Sequence, residues 1–118
     1  MSLNRRKLAD QTLRYMGTGG ISRENRHAGF RPAYRDRRSG QIYLSCYADG
    51  RPAPVHVLDG LPEALVIQRS AAGHVMAVAQ WVEAGFVRAG RFYTREEAAR
   101  CLQAEDAALG RESGLAPA

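Results

Sequence analysis

The residues with the clearest potential for chemistry lie in one stretch, Phe30 to Tyr47, which reads FRPAYRDRRSGQIYLSCY. It contains four arginines and four aromatic residues. Arginine forms forked hydrogen bonds with phosphates, and aromatic side chains exposed on a sheet stack unpaired bases. The combination predicts a candidate binding surface. Its residues are Arg31, Tyr34, Arg35, Arg37, Arg38, Tyr43 and Tyr47.

The charge distribution favours the same part of the chain. Residues 1–39 contain ten basic and three acidic residues, whereas residues 94–118 contain three basic and five acidic ones. A basic segment is typical of a phosphate-contacting surface. However, 16 of the 17 basic residues are arginine, so GC-rich codon usage explains the excess equally well. The sequence contains no zinc-finger spacing, RNA-recognition signature or helix-turn-helix pattern.

The cysteines and histidines argue against a metal centre or a catalytic pair. They are Cys46, Cys101, His27, His56 and His74. A zinc site needs closely spaced ligands, and these are scattered. A Cys46–His56 pair could form across neighbouring strands, but no third group supports it. We therefore predict a non-enzymatic protein without a metal or cofactor.

An N-terminal helix is predicted from Leu3 to Met16. Ser2 or Asn4 can cap it, and Gly17 can end it. Residues 17–28 are rich in glycine and lack an apolar period, so we interpret them as a linker.

The arginine-rich stretch itself predicts a hairpin. Strands Phe30–Tyr34 and Ile42–Tyr47 flank a turn in which Ser39-Gly40 supplies the positive φ angle. Pro32 lacks an N–H group, which predicts a sheet edge or a bulge for the first strand. Alternation along the second strand places one set of side chains in the core and the other on the opposite face. The core set is Ile42, Leu44 and Cys46, and the opposite set is Tyr43, Ser45 and Tyr47.

Further strands follow along the chain. Val55–Leu58 and Leu65–Ile67 are short and apolar, and the second is predicted to be buried. Residues 74–87 fit a helical or a strand face, and we interpret them as one long strand with a bulge at Ala84-Gly85. A tight turn is predicted at residues 88–91.

A capping box marks the start of the C-terminal helix. Thr94 and Glu97 have the spacing at which each side chain binds the other's backbone amide. The predicted apolar side comprises Ala98, Cys101, Leu102, Ala108 and Leu109. We expect the helix to end at Gly110 and residues 111–118 to form a disordered tail.

The predicted fold class is α+β: an N-terminal helix, four to five short, mostly antiparallel strands in one sheet, and a capped C-terminal helix. Residues 1–110 form a single domain. The chain has no apolar run of the roughly 20 residues that a membrane helix needs, and its N-terminus is charged throughout. We expect a soluble, cytoplasmic protein that does not contact a membrane.

Two functions agree with these features. The first is a protein-interaction or accessory module that uses sheet edges or an exposed sheet face, with an unknown protein partner or self-association as a homodimer. The alternative is nucleic-acid binding through the basic N-terminal third and the hairpin. The exposure of Tyr34, Tyr43 and Tyr47 bears directly on the alternative.

Overall fold

The structure is a computed structural model that describes residues 2–115, with side chains described up to residue 109. Residues 2–115 form three α-helices and six strands. The helices are α1 (Arg5–Tyr15), α2 (Ser22–Asn25) and α3 (Arg95–Leu115), and the strands are β1 (Arg31–Asp36), β2 (Ile42–Leu44), β3 (Val66–Arg69), β4 (Val75–Val78), β5 (Val82–Arg88) and β6 (Arg91–Thr94). The predicted α+β class is confirmed. Within the described residues, no helix is long and apolar enough to cross a membrane.

The main sheet is antiparallel, with strand order β2-β1-β5-β6. Strands β3 and β4 form a separate hairpin. The turns of the main sheet follow the prediction. Gly40 has a φ of 76° between β1 and β2, and Ala89 and Gly90 have φ angles of 52° and 78° between β5 and β6. Two successive positive φ angles are typical of the type I′ hairpin turn.

The predicted edge position of the first strand is wrong, because β1 lies between β2 and β5. The missing N–H of Pro32 is accommodated beyond the end of β2. There, Ser45 N–H donates to the Pro32 carbonyl at 2.9 Å, while the Ser45 carbonyl accepts from Ala53 N–H, also at 2.9 Å. Ala53 N–H therefore takes the place of the N–H group that Pro32 lacks, and the Ser45 carbonyl is not left without a donor.

The predicted faces of β2 are inverted. Ile42 and Leu44 are 38% and 37% exposed, whereas Ser45 is buried and Tyr43 packs against the core. Tyr43 lies opposite the fully buried Tyr34, so this register directs Tyr43 and Ser45 toward the core. Alternation specifies two faces but not which of them is buried.

Three strand predictions also need correction. Residues 55–58 form no strand, and Ile67 on β3 is 59% exposed, not buried. Residues 74–87 form two strands, because the chain reverses at a turn in which Val82 N–H donates to the Ala79 carbonyl. Pairing between β1 and β5 is regular through Ala84 and Gly85, so the predicted bulge is absent there.

The predicted caps of both long helices form, although α1 begins at Arg5 and not at Leu3. The Asn4 side chain accepts from Lys7 N–H at 2.8 Å and caps α1. The capping box of α3 is complete, with Thr94 N–H donating to Glu97 and Glu97 N–H donating to Thr94 Oγ1. The predicted helix end at Gly110 is wrong, because α3 continues to Leu115. The predicted disordered tail includes residues 116–118, which lie outside the described residues.

The predicted linker is a folded element. Ile21, Ser22 and Asn25 are buried, and the Glu24 side chain accepts from the amides of Gly17 and Gly19. Leu102 on α3, which is itself buried, packs directly against Gly19. Residues 17–25 thus connect the end of α1 to α3.

Gly85 provides a test of the packing inside the sheet. A Cβ atom there would collide with the Tyr93 carbonyl and the Phe92 ring. Because the carbonyl belongs to the paired strand β6 and cannot rotate away, we expect Gly85→Ala to lower the free energy of unfolding by about 3 kcal/mol, at the upper end of the overpacking range. Urea unfolding measures this.

The matched control is Gly40→Ala. Gly40 has open space around its Cα and only a positive φ angle to satisfy, so the expected cost is about 1 kcal/mol. Equal losses for the two variants would contradict the packing argument.

Candidate ligand-binding groove

An open groove of about 620 Å³ lies between α1 and the chain at residues 53–59, called here the 53–59 segment. Its lining is mainly apolar. The helix side contributes Arg5, Leu8, Ala9, Thr12 and Met16, the segment contributes Val55, His56, Val57, Leu58 and Asp59, and the remaining lining residues are Ile21, Ser22, Arg23, Tyr47, His74 and Arg95. The volume lies within the range of about 300–1,000 Å³ that is typical of ligand sites.

Spacing along α1 explains the helix side of the groove. Residues at positions 5, 8, 9, 12 and 16 follow the three- and four-residue intervals that place side chains on one face of a helix. The Thr12 hydroxyl donates to the Leu8 carbonyl at 3.0 Å, which satisfies its polar group locally. The face that α1 presents to the groove is therefore largely apolar.

Buried hydroxyl groups hold the 53–59 segment in place without a strand. The Ser45 hydroxyl donates to the Val55 carbonyl and accepts from Val57 N–H, both at 2.9 Å. The Tyr34 hydroxyl donates to the Val57 carbonyl at 2.9 Å. Leu58, only 1% exposed, anchors the segment in the core. These contacts fix Val55 and Val57 along the groove.

His56 forms part of the floor. Its ring makes edge contacts with Tyr34 and Phe86, at centroid distances of 5.4 and 5.1 Å. Arg95 can only donate, so Nδ1 accepts from its guanidinium at 3.1 Å and Nε2–H donates to the Gly85 carbonyl at 2.7 Å. Burial and the neighbouring Arg95 charge lower the pKa of His56 to about 3. The imidazole is neutral at physiological pH, and both of its nitrogens are engaged.

Arg95 is the central polar group of the site. It is only 4% exposed, and its guanidinium donates to Gln11 Oε1 at 3.0 Å, to the Gly20 carbonyl at 2.9 Å and to His56. No carboxylate among the described residues lies within salt-bridge distance of it. Burial lowers the pKa of Arg95, but an arginine stays protonated. The floor of the groove therefore contains a buried positive charge without an internal counter-charge.

A charged cluster closes one end of the groove. Asp59 accepts from Val75 N–H at 2.8 Å and pairs with Arg5 at 3.3 Å and His74 at 3.5 Å. Partial burial raises the pKa of Asp59, but the Val75 amide and the Arg5 charge outweigh this and bring it below its usual range. The ionised carboxylate ties the β3–β4 hairpin to α1.

The predicted binding residues do not gather into one surface. Tyr34 is fully buried, and Tyr43 is partly buried against the core. Tyr47 is 36% exposed and lines the groove. Arg31 is exposed at the start of β1. Of the three tyrosines, only Tyr47 is exposed enough to stack on a ligand.

The hairpin arginines make contacts within the chain. Arg35 binds Glu83 through Nε at 2.7 Å, and its guanidinium lies 4.6 Å from the centroid of Phe92. Arg38 stacks on Trp81 at 4.4 Å. Arg37 donates to backbone carbonyls of the turn between β4 and β5. Arg35 and Arg38 therefore stabilise the sheet and the adjoining turn.

Neither cysteine is hydrogen-bonded to a histidine among the described residues. Cys101 Sγ contacts Arg88 at 2.9 Å and Glu105 at 3.1 Å, and the Glu105 contact and burial raise the pKa of its thiol. The Cys46–His56 pair is not formed, because His56 is engaged by Gly85 and Arg95. The described residues contain no group of three or more side chains that could hold a metal ion.

The sequence does not mark His56 and Arg95 as a pair. His56 is a candidate only beside Cys46, and Arg95 lies inside the capping box between Thr94 and Glu97. No local signal marks a buried arginine whose partners are 75 and 84 positions away.

Comparisons with known proteins do not place the chain in a family. No protein-family model, curated protein or solved structure matches the chain.

The neutral state of His56 predicts a pH dependence of stability. Its folded pKa of about 3 lies below the unfolded value of 6.5. As the pH falls, His56 is therefore protonated in the unfolded chain before it is protonated in the folded one. The free energy of unfolding decreases between pH 6.5 and 3, and at pH 5 it is lower by about 2 kcal/mol. Chemical denaturation at several pH values measures this slope.

His56→Gln can keep one acceptor and one donor but cannot titrate, so it should flatten the slope between pH 6.5 and 5. The exposed His27, changed to Gln, is the matched control and should leave the slope unchanged. A wild-type slope in His56→Gln would contradict the assignment.

Proposed function

We propose that the chain is a non-enzymatic binding module and that its binding site is the groove between α1 and the 53–59 segment. The observation that carries the proposal is the combination of an apolar groove with a buried, uncompensated Arg95 at its floor. A site of this kind favours a ligand with an apolar body and a negative group.

The shape of the apolar surface favours a segment of a partner protein as the occupant. Met16, Val55 and Tyr47 are 48%, 46% and 36% exposed along the groove, and Leu13 on α1 is 68% exposed beyond it. Apolar surface that extends past a cavity suits a peptide better than a small molecule that would be enclosed. Arg23 lines the groove, is exposed and has no salt-bridge partner among the described residues, which favours a segment with an acidic residue.

The chemistry of the floor supports a non-enzymatic role. Because His56 is neutral and has both nitrogens engaged, it is a poor general base. The thiol of Cys101, whose pKa is raised, is a poor nucleophile. The predicted cytoplasmic location and the predicted self-association remain predictions.

The geometry gives less support to nucleic-acid binding through the hairpin. Tyr34 cannot stack a base because it is fully buried, and Arg35 is paired with Glu83. Three hairpin arginines remain exposed, Arg31, Arg37 and Arg38, of which Arg37 donates to backbone carbonyls and Arg38 stacks on Trp81.

A displayed library of random peptides tests the proposal. The wild-type protein should enrich peptides that combine apolar residues with an acidic one. Val55→Asp places a charge in the groove and should weaken an enriched peptide at least tenfold, or about 1.4 kcal/mol, measured by fluorescence anisotropy. Ile67→Asp is the matched control, since Ile67 is 59% exposed on β3 outside the groove.

Two results would contradict this function. One is equal loss of binding in Val55→Asp and Ile67→Asp. The other is binding of the apolar anionic dye anilinonaphthalene sulfonate in the groove without enrichment of any peptide, which would assign the groove to a small ligand instead.

A further inference from the structure

A second cavity, of about 360 Å³, lies against the other face of α1 and is lined mainly by polar groups. Its residues come from α1 and its N-terminal flank (Leu3, Lys7, Gln11, Arg14, Tyr15), from the turn after β1 (Arg37), from β5 (Val82, Glu83, Ala84) and from the start of α3 (Thr94, Arg95, Glu96). Lys7, Gln11 and Arg14 follow helical spacing, so α1 has a basic face here and an apolar face toward the groove.

The charges around this cavity do not balance. Its four cationic side chains are Lys7, Arg14, Arg37 and Arg95, and its two acidic side chains are Glu83 and Glu96. Glu83 is bound by Arg35, and Glu96 is bound by Arg100 at 3.0 Å. None of the four cations lies within salt-bridge distance of a carboxylate of the described residues. The cavity therefore has an excess of unpaired positive charge.

Arg95 extends this excess into the protein interior. A guanidinium has five N–H groups, and the three hydrogen bonds of Arg95 use three of them. The other two N–H groups have no acceptor among the described residues. A buried cation without a counter-charge is costly, and an anion bound beside it would remove much of that cost.

We propose that this cavity is a binding site for a phosphate group. Cations reach it from three separate elements, α1, the turn after β1 and the start of α3, so they can surround an anion. A phosphate has several acceptor oxygens that point in different directions, and arginine binds it with forked hydrogen bonds. A carboxylate has only two acceptor oxygens, which lie in one plane, so it offers less to donors from three elements.

Isothermal titration at constant ionic strength tests the site with inorganic phosphate, phenyl phosphate and a short oligothymidylate. The wild-type protein should bind phosphate or phenyl phosphate in preference to chloride. Arg14→Ala combined with Arg37→Ala should weaken that binding at least tenfold without loss of fold, because both side chains are exposed and the two backbone hydrogen bonds of Arg37 lie at the surface.

The control is Arg6→Ala, which removes one positive charge, half of what the double variant removes, from an exposed position of α1 outside the cavity. It should change the affinity by less than twofold. An equal loss in Arg6→Ala, or wild-type affinity in the double variant, would overturn the site, as would the absence of any phosphate binding.

The three probes distinguish the sources of the phosphate. Binding of the small phosphates alone would assign the cavity to a free phosphorylated ligand. Oligothymidylate binding that is lost in the double variant and retained in Arg6→Ala would assign it to a nucleic-acid backbone. Because Val55→Asp leaves this cavity intact, failure of the groove proposal would not affect this test.

Discussion

The buried guanidinium of Arg95 is the interaction on which the candidate site depends. It joins α1 through Gln11, the glycine-rich stretch through Gly20 and the 53–59 segment through His56. These three parts are distant in sequence, and α3 positions Arg95 between them. Because Arg95 lines both cavities, one side chain links the apolar groove to the basic cavity. Its positive charge is costly in the interior, so the arrangement favours an anionic ligand.

The sheet supplies a rigid base for this arrangement. Tyr34 on β1 and Ala84 and Phe86 on β5 are buried. The hydroxyl of Tyr34 and that of Ser45 then hold a segment that has no strand pairing of its own. Hydrogen bonds from buried side chains thus replace a strand ladder along one wall of the groove. Because residues 55–58 pair with no strand, Val55 lines the groove.

Local patterns predicted the N-terminal caps of the helices and the hairpin turns well, and the tertiary partners of the elements poorly. The Asn4 cap, the Gly40 turn and the Thr94–Glu97 capping box depend on residues only a few positions apart, and all three are confirmed. The buried face of β2 depends on which tyrosines meet across strands, which alternation does not specify. The role of Arg95 depends on partners far along the chain, so no local signal could have identified it. The burial of Tyr34 could not be predicted for the same reason, since its hydroxyl binds Val57, 23 positions away.

Hydrogen exchange on Arg95→Met tests the central claim most directly, with Arg100→Met, exposed on the same helix, as the control. If Arg95 joins α1, residues 17–25 and the 53–59 segment, amides of these three parts should exchange at least tenfold faster in Arg95→Met, while those that pair β1 with β5 stay protected. Arg100→Met should exchange like the wild-type protein. Unchanged exchange in the three parts, or a uniform increase that includes β1 and β5, would contradict the account.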